Sequence, residues 1–404
     1  MKKIIAVIMA IISLLCCLPA WAHDDIVTVH VPFSDEQAGQ AFFETRDGAV
    51  WSENFKSQLK GLERRVYNTV SKNVDTMRRD EEQNIEIDIS DMPDVHYGNN
   101  EEMMTLVTPV FTGIYAYEYD HPQHFWMSKY HAYSIGYRQS DNKVVNLYIT
   151  KYGSSWHNDA FPTYQSVVDA EKVFKAKVND IVKGAEGKGN FETLEYFNSY
   201  IINNCEYNPY VTAGYDQNSL GEMPWCAYSG IIPQTDERKY PVCEGYAKAM
   251  KVLCDKAGIE CVLVSGAYKN QGHMWDMVRM TNGKWFYVDT TFNDVDKYET
   301  KYFLRGASME KTHKPDRKLS ASCRELVYPD ASRFDYTLSV RDLLGDANGD
   351  GSINTSDATA LLRHSAEIQR ITDPFVRLCA DFNCDGNIDT SDAAAVLRLC
   401  AGMM

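Results

Sequence analysis

Long apolar runs are missing from this chain beyond residue 18, and their absence excludes membrane spans from that point on. The one such run, Ile4 to Leu18, covers about 15 residues, against the ~20 that a bilayer core requires. Lys2 and Lys3 precede it and Ala20-Trp21-Ala22 follows, which is the pattern of a secretory signal peptide over 1–22 with His23 as the first mature residue. Cys16 and Cys17 do not turn it into a lipid anchor, because Leu15 stands where such signals place a small residue. Positive charge is also scarce. There are 41 Lys and Arg against 56 Asp and Glu, a net charge of −15. That balance argues against nucleic acid and against an anionic membrane as partners. No CxxC pair occurs among the nine cysteines from Cys205 to Cys400, which disfavours a zinc site, and an odd number leaves at least one thiol unpaired. A Pro/Thr-rich tether is lacking too: Ala331 to Leu344 is short and mixed, so whatever follows sits close to what precedes.

What is present begins with a repeat. Asp346-Ala-Asn348-Gly-Asp350-Gly351-Ser352-Ile353-Asn354-Thr355-Ser356-Asp357 recurs 35 residues later as Asp381-Phe-Asn383-Cys-Asp385-Gly386-Asn387-Ile388-Asp389-Thr390-Ser391-Asp392. Each copy is a twelve-residue loop with oxygen side chains at positions 1, 3, 5, 9 and 12 and glycine at 6. A hard cation takes six to eight oxygen ligands, and this spacing wraps the chain so that they converge. Ser352 and Asn387, at position 7, supply their backbone carbonyls. A helical pattern follows each loop, through Ala358, Leu361 and Leu362 and through Ala393, Val396 and Leu397. A metal-free Asp/Asn/Gly turn would explain one loop; it does not explain two in register.

Position 12 is Asp rather than the usual Glu, and no amphipathic helix precedes the first loop. With those two features, residues 344–404 resemble a type I dockerin. The resemblance implies two calcium ions, one per loop, and a cohesin module of a scaffoldin as partner. It places the cohesin contacts at Thr355, Ser356, Leu361, Leu362 and Arg363 and at Thr390, Ser391, Val396, Leu397 and Arg398. The near-identity of the two faces implies two binding orientations related by a half turn.

The second informative stretch runs from Tyr240 to Asp294. Cys243, Ala247, Met250 and Cys254 fall at helical spacing, Pro241 discourages an earlier start, and Gly258 sits at the expected end. Cys243 therefore opens a helix, where partial positive charge and unpaired N–H groups favour a thiolate and a developing oxyanion. Strands are expected at Cys261 to Tyr268, Met274 to Met280 and Lys284 to Thr290, with His273 at the start of the second and Asp289 at the end of the third. A two-residue turn at Asn282-Gly283 would put Asp289 and His273 on opposite faces. A three-residue turn, Thr281-Asn282-Gly283 with Gly283 at positive φ, pairs Asp289 with Trp275 and makes it a diagonal neighbour of His273. The second register is the one expected. A thiolate, an imidazole and a carboxylate in that order suit acyl transfer: Cys243 attacks, His273 moves the proton, and Asp289 fixes the imidazole's tautomer. Each residue alone has a plainer explanation, as a buried thiol, a structural histidine or a turn former. The constellation carries the reading.

The run VCEGYAKAM, then GHMWDMV, then GKWFYVDTTFND resembles the bacterial transglutaminase-like superfamily, whose fold is related to papain-like cysteine peptidases. The likeness spans roughly Phe191 to Tyr336. It implies an α+β core with the Cys helix packed on an antiparallel sheet, Cys243, His273 and Asp289 as the catalytic residues without a cofactor, and Tyr228 beside the oxyanion site. Trp275 and Trp285 read as packing. The segment His121 to Trp126 is similar to what precedes the core in relatives.

The remainder reads as an N-terminal α+β accessory region at 23–165, a catalytic domain at 166–336, a linker at 337–343 and an all-α dockerin at 344–404. An amphipathic helix is expected from Ser52 to Val74, a surface loop from Arg78 to Met92, and strands between Tyr130 and Tyr152 that turn at Asp141-Asn142. Helices are expected at Ser166 to Ile181 and Phe191 to Asn203. The aromatic density from Tyr115 to Trp156 suits either a ligand groove or, more simply, a core. Three functions stay open: a cysteine enzyme acting on protein or peptide amides (peptidase or cross-linker), a non-catalytic protein- or glycan-binding component, and a carbohydrate-active hydrolase. For the last, no acid–base carboxylate pair stands out. The dockerin resemblance sets all three in a secreted, polysaccharide-degrading complex.

Overall fold

A computed structural model describes residues 26–33, 54–295, 301–336, 343–350 and 353–403. The expected signal peptide, its cleavage site, most of the linker, and Gly351 and Ser352 lie outside them.

The N-terminal part is a four-stranded antiparallel sheet backed by helices. Strand β1 is Ile26–Phe33, and helix α1 is Gly61–Arg79. The helix expected from Ser52 thus starts later: a 3-10 turn, Asn54–Gln58, comes first, and Lys60 is extended at φ −135° and ψ 160°. It also ends later, at Arg79, where Asp80 takes a left-handed conformation at φ 60°. The supposed loop from Arg78 to Met92 contains strand β2, Asn84–Ile87, in which Ile85 and Ile87 are buried and Asn84 and Glu86 exposed. That alternation is a strand signal too short to stand out in the sequence. Helix α2, Asn100–Asp120, is buried along most of its second half and packs on α1. Strands β3, His131–Arg138, and β4, Val144–Thr150, form the expected hairpin, with Asn142 at φ 59° in its turn. The sheet order is β1-β3-β4-β2.

Helices α3 (Tyr164–Gly184), α4 (Asn190–Asn204), the short α5 (Pro209–Thr212) and α6 (Ala227–Ile231) lead to α7, Cys243–Ala257. Next come β5, Cys261–Tyr268, β6, Gln271–Arg279, and β7, Trp285–Val288. The six-residue α8, Thr290–Val295, and the short strand β8, His313–Pro315, complete this part. The second sheet is antiparallel with order β7-β6-β5-β8, and α7 packs on β5 and β6. Burial accompanies that packing: Tyr246, Ala247, Met250 and Cys254 on α7 and Val262, Val264, Met277 and Val278 on the sheet are all buried in one hydrophobic cluster.

One hydrophobic cluster runs from Phe55 to Leu326 and so joins the two sheets. Its far ends are tied by polar contacts. Arg324 pairs with Glu63 and donates to the Gln58 carbonyl at 2.7 Å, and Gln58 exchanges two hydrogen bonds with the Val327 backbone at 3.1 and 2.8 Å. The C-terminal part has its own small core. Helices α9 (Thr355–Ser365), α10 (Pro374–Ala380) and α11 (Thr390–Cys400) surround Ala347, Ala358, Leu361, Ala380, Ala393 and Val396. Among the described residues, no helix is long and apolar enough to cross a membrane.

Candidate active site and metal-binding loops

Cys243 is the first residue of α7, after an extended Val242 at φ −97° and ψ 179° that offers no side-chain cap. The helix's first N–H groups are therefore left for other acceptors. Cys243 lies close enough to the Tyr207 phenol and the His273 imidazole to act on the protonation of both.

His273 reaches this position from β6. The hairpin register runs from Arg279↔Trp285 to Asp276↔Val288, and Gly283 closes a three-residue turn at φ +75°. Continued by one residue, that register sets Asp289 across from Trp275, as expected from the turn. His273 Nε2 then lies 2.7 Å from Asp289 Oδ2, with side-chain exposures of 8% and 0%. Nε2 is engaged by the carboxylate, so Nδ1 is the nitrogen left for the thiol.

The electrostatics follow from burial and pairing. Burial alone pulls the His273 imidazole down, but the Asp289 charge and hydrogen bond, with a smaller contribution from Cys243, push it well above the usual histidine range. Burial alone raises Asp289, and the His273 charge together with hydrogen bonds from His273 and His313 holds it below the usual carboxylate range. The other Asp289 oxygen accepts the Phe292 N–H at 3.0 Å, which fixes the carboxylate at the start of α8. Aromatic rings wall the pair: Trp275 stacks on His273 at 5.7 Å and Phe292 tilts against it at 4.8 Å.

Two neighbours escape sequence reasoning. His313 Nε2 lies 3.0 Å from the same Asp289 oxygen, and its side chain is 1% exposed. It belongs to a three-residue strand with no periodicity to reveal it. Tyr207, whose phenol is pushed up by burial, sits in an irregular stretch between α4 and α5.

The Tyr228 ring packs on Phe125, Phe161 and Phe174 at 5.1, 5.1 and 6.0 Å, where α6 meets α3, and α6 also packs on α7. The tryptophans behave as packing, with Trp275 and Trp285 both buried. The aromatic stretch from Tyr115 to Trp156 divides. Trp126, Tyr133 and Trp156 are core, whereas Tyr115, Tyr130 and Tyr152 line a cavity of about 690 Å³ that Trp225, Glu244 and Lys248 share.

In the first twelve-residue loop, carboxylate oxygens of Asp346, Asp350 and Asp357 lie within 4.8 Å of one another. Asp357 is pushed up to about 6, by burial first and also by the charges of Asp346 and Asp350. Three converging carboxylates are a donor set that fits a hard cation. In the second loop, Asp381 accepts the Asp385 N–H at 3.0 Å and Asp392 accepts the Asn383 N–H at 3.1 Å, so these side chains likewise turn into the loop. Asn354 and Asp389 cap α9 and α11. Two residues expected at the cohesin face are corrected: Leu361 and Val396 are fully buried, because helical spacing points them into the small core. Leu362 and Leu397, one position on, are exposed at 47% and 44%.

Comparison with known proteins agrees with this division. The transglutaminase-like superfamily matches residues 175–290, and the type I dockerin domain matches residues 344–399. The chain thus has a transglutaminase-like core domain, of a superfamily whose members are usually cysteine enzymes. Behind it stands a C-terminal type I dockerin domain, a module that binds calcium and a cohesin. A solved structure described as "Crystal structure of a TGase" is similar at 11% identity with a TM-score of 0.27, over 37% of this chain and 42% of its own. The chain therefore spans less than half the length of that structure. No curated protein matches the sequence.

Proposed function

We propose that this protein is a secreted cysteine acyl-transfer enzyme that acts on protein amides through Cys243, His273 and Asp289 and is held on a scaffoldin by its dockerin. The observation that carries the reading is His273 between a thiol and a buried carboxylate, with Nε2 committed to Asp289. Cys243 Sγ attacks the amide carbon, and the proton of the thiol passes through His273 to the departing nitrogen. A thioester and a free amine or ammonia result. Water or a second amine then attacks the thioester, gives its proton back through His273, and releases the thiol. Asp289 keeps the imidazole in the tautomer that these transfers need. The Cys243 N–H, at an uncapped helix start, is the natural oxyanion donor.

The dockerin would hold two calcium ions. The first loop offers Asp346, Asn348, Asp350, Asn354 and Asp357 with the Ser352 carbonyl; the second offers Asp381, Asn383, Asp385, Asp389 and Asp392 with the Asn387 carbonyl. When bound, the cation supplies the positive charge that draws each loop's oxygens together. The cohesin face consists of Thr355, Ser356, Leu362 and Arg363 and of Thr390, Ser391, Leu397 and Arg398, all of them exposed. In this reading the activity acts outside the cell, in a polysaccharide-degrading complex, as the dockerin supports.

The test is incubation with casein and a fluorescent amine, beside Cys243→Ala. Labelled casein identifies a transferase and shortened casein a peptidase, and Cys243→Ala should lose either activity by at least ~10⁴-fold. Wild type and variant behaving alike would remove the enzyme.

A further inference from the structure

We propose that His313 is a positioning residue of the active site, the second of two histidines that hold one Asp289 oxygen and thereby aim His273 at Cys243. This rests on the triad reading above. Asp289 Oδ2 accepts from His273 Nε2 at 2.7 Å and from His313 Nε2 at 3.0 Å, while Oδ1 accepts the Phe292 N–H at 3.0 Å. Three donors from three segments leave the buried carboxylate no freedom to turn. An orienting carboxylate with only the catalytic histidine attached would swing with it; the third segment makes the orientation independent of His273.

The construction around His313 is specific. Thr312 Oγ1, which donates to the Met309 carbonyl at 3.1 Å, lies 3.0 Å from Nδ1, so both ring nitrogens of His313 are held in place. Strand β8 brings the ring in by pairing with the edge of β5, where Tyr268 stands opposite His313. Gly266 makes that approach possible: a Cβ there would run into the Lys314 carbonyl and lie 2.6 Å from the Trp275 ring. Rings of Tyr268, Trp275, Phe292 and Tyr302 lie 5.0 to 5.7 Å from His313, so water does not compete for its proton. Titratable groups that face this cluster are Cys243 on α7, His273 and the buried Asp276 on β6, Tyr268 on β5, Tyr207 and Tyr302.

The experiment compares His313→Phe, which keeps the ring but removes the donor, with His313→Gln, which keeps a donor. Both are measured against wild type for kcat and KM on casein and for the pH dependence of Cys243 alkylation by iodoacetamide. His313→Phe is expected to lower kcat about 10- to 100-fold with KM within about twofold, as loss of an orienting partner does. It should also move the acid limb of the alkylation profile to higher pH, because Asp289 loses a donor that favours its ionised form. His313→Gln should restore most of both. Thr312→Val, which frees the far nitrogen of His313, should shift the same limb in the same direction by less. A His313→Phe protein that melts lower but keeps the wild-type profile and kcat shows His313 to be structural only, and overturns the proposal. Should His313→Phe fail to fold, an unshifted limb in Thr312→Val overturns it equally. Activity that survives Cys243→Ala would instead bring down the triad reading, and the two failures are distinguishable.

Discussion

Nine cysteines lie between residues 205 and 400, and their surroundings differ in the respect that governs reactivity. Cys205 and Cys226 are buried, and desolvation pushes both thiols up to about 12. Cys384 and Cys400 are exposed without a nearby base among their hydrogen bonds, and Cys243 is partly exposed with His273 beside it at a helix start. Cys243 is therefore expected to be alkylated by iodoacetamide before Cys384 and Cys400, although it is the less accessible. Peptide mapping after partial labelling reads the order, and modification of Cys384 or Cys400 first would remove the activated nucleophile. The buried pair beside it makes a second prediction, about stability. Asp289 is held down, so its contribution is present above the ordinary carboxylate range and fades as pH falls through its depressed value. His273 is pushed up, so its contribution is complete below the ordinary histidine value of ~6.5 and fades as pH rises through the raised one. The pair acts in full between about pH 4 and 6.5. Asp289→Ala strands a buried imidazolium and should cost roughly 3–5 kcal/mol in that window, measured by urea unfolding, with the deficit shrinking toward alkaline pH.

At the scale of elements, the segments that carry the candidate site were the most legible, and for a physical reason. The helix from Cys243 is bounded by Pro241 before it and by Gly258 at positive φ after it, and the strands around Gly283 are short, β-branched or aromatic, and bounded by a turn residue whose φ is positive. Helix α2 gave no such signal: from Val110 onward nearly every position is buried, and a helix buried on all sides has no polar face to set its period. Strand β8 is only three residues long, and what makes His313 important is a partner 24 residues away, a pairing that local pattern does not encode. The dockerin helices were placed correctly but read one residue too generously at their surface. There the structure makes a sharp prediction. Leu361→Ala and Val396→Ala should destabilise the module by roughly 2–5 kcal/mol each, by emptying its core. Leu362→Ala and Leu397→Ala should leave its melting unchanged and weaken cohesin capture on a scaffoldin column. A cohesin that ignores the Leu362 and Leu397 changes would relocate the docking face.

For the whole molecule, two separate hydrophobic cores imply two separately responsive parts. Among the described residues the small core gathers six buried side chains, four of them alanine, with five partly buried ones packed against it, little apolar surface to hold three helices by itself. Chelation by EDTA should therefore unfold the dockerin and abolish cohesin capture, while the larger part keeps its melting temperature and its Cys243 alkylation rate. Calorimetry with and without chelator reads this as loss of one transition, and loss of both would join the two cores into one cooperative unit. The clasp between Arg324, Glu63, Gln58 and Val327 has a consequence of another kind. Segments some 260 residues apart hold each other shut like the two halves of a buckle, so anyone trimming the chain to isolate its chemistry has little room. A fragment spanning 54–336 keeps the buckle fastened, whereas a cut just before Arg324, which looks harmless along the sequence, springs the first helix from its clasp.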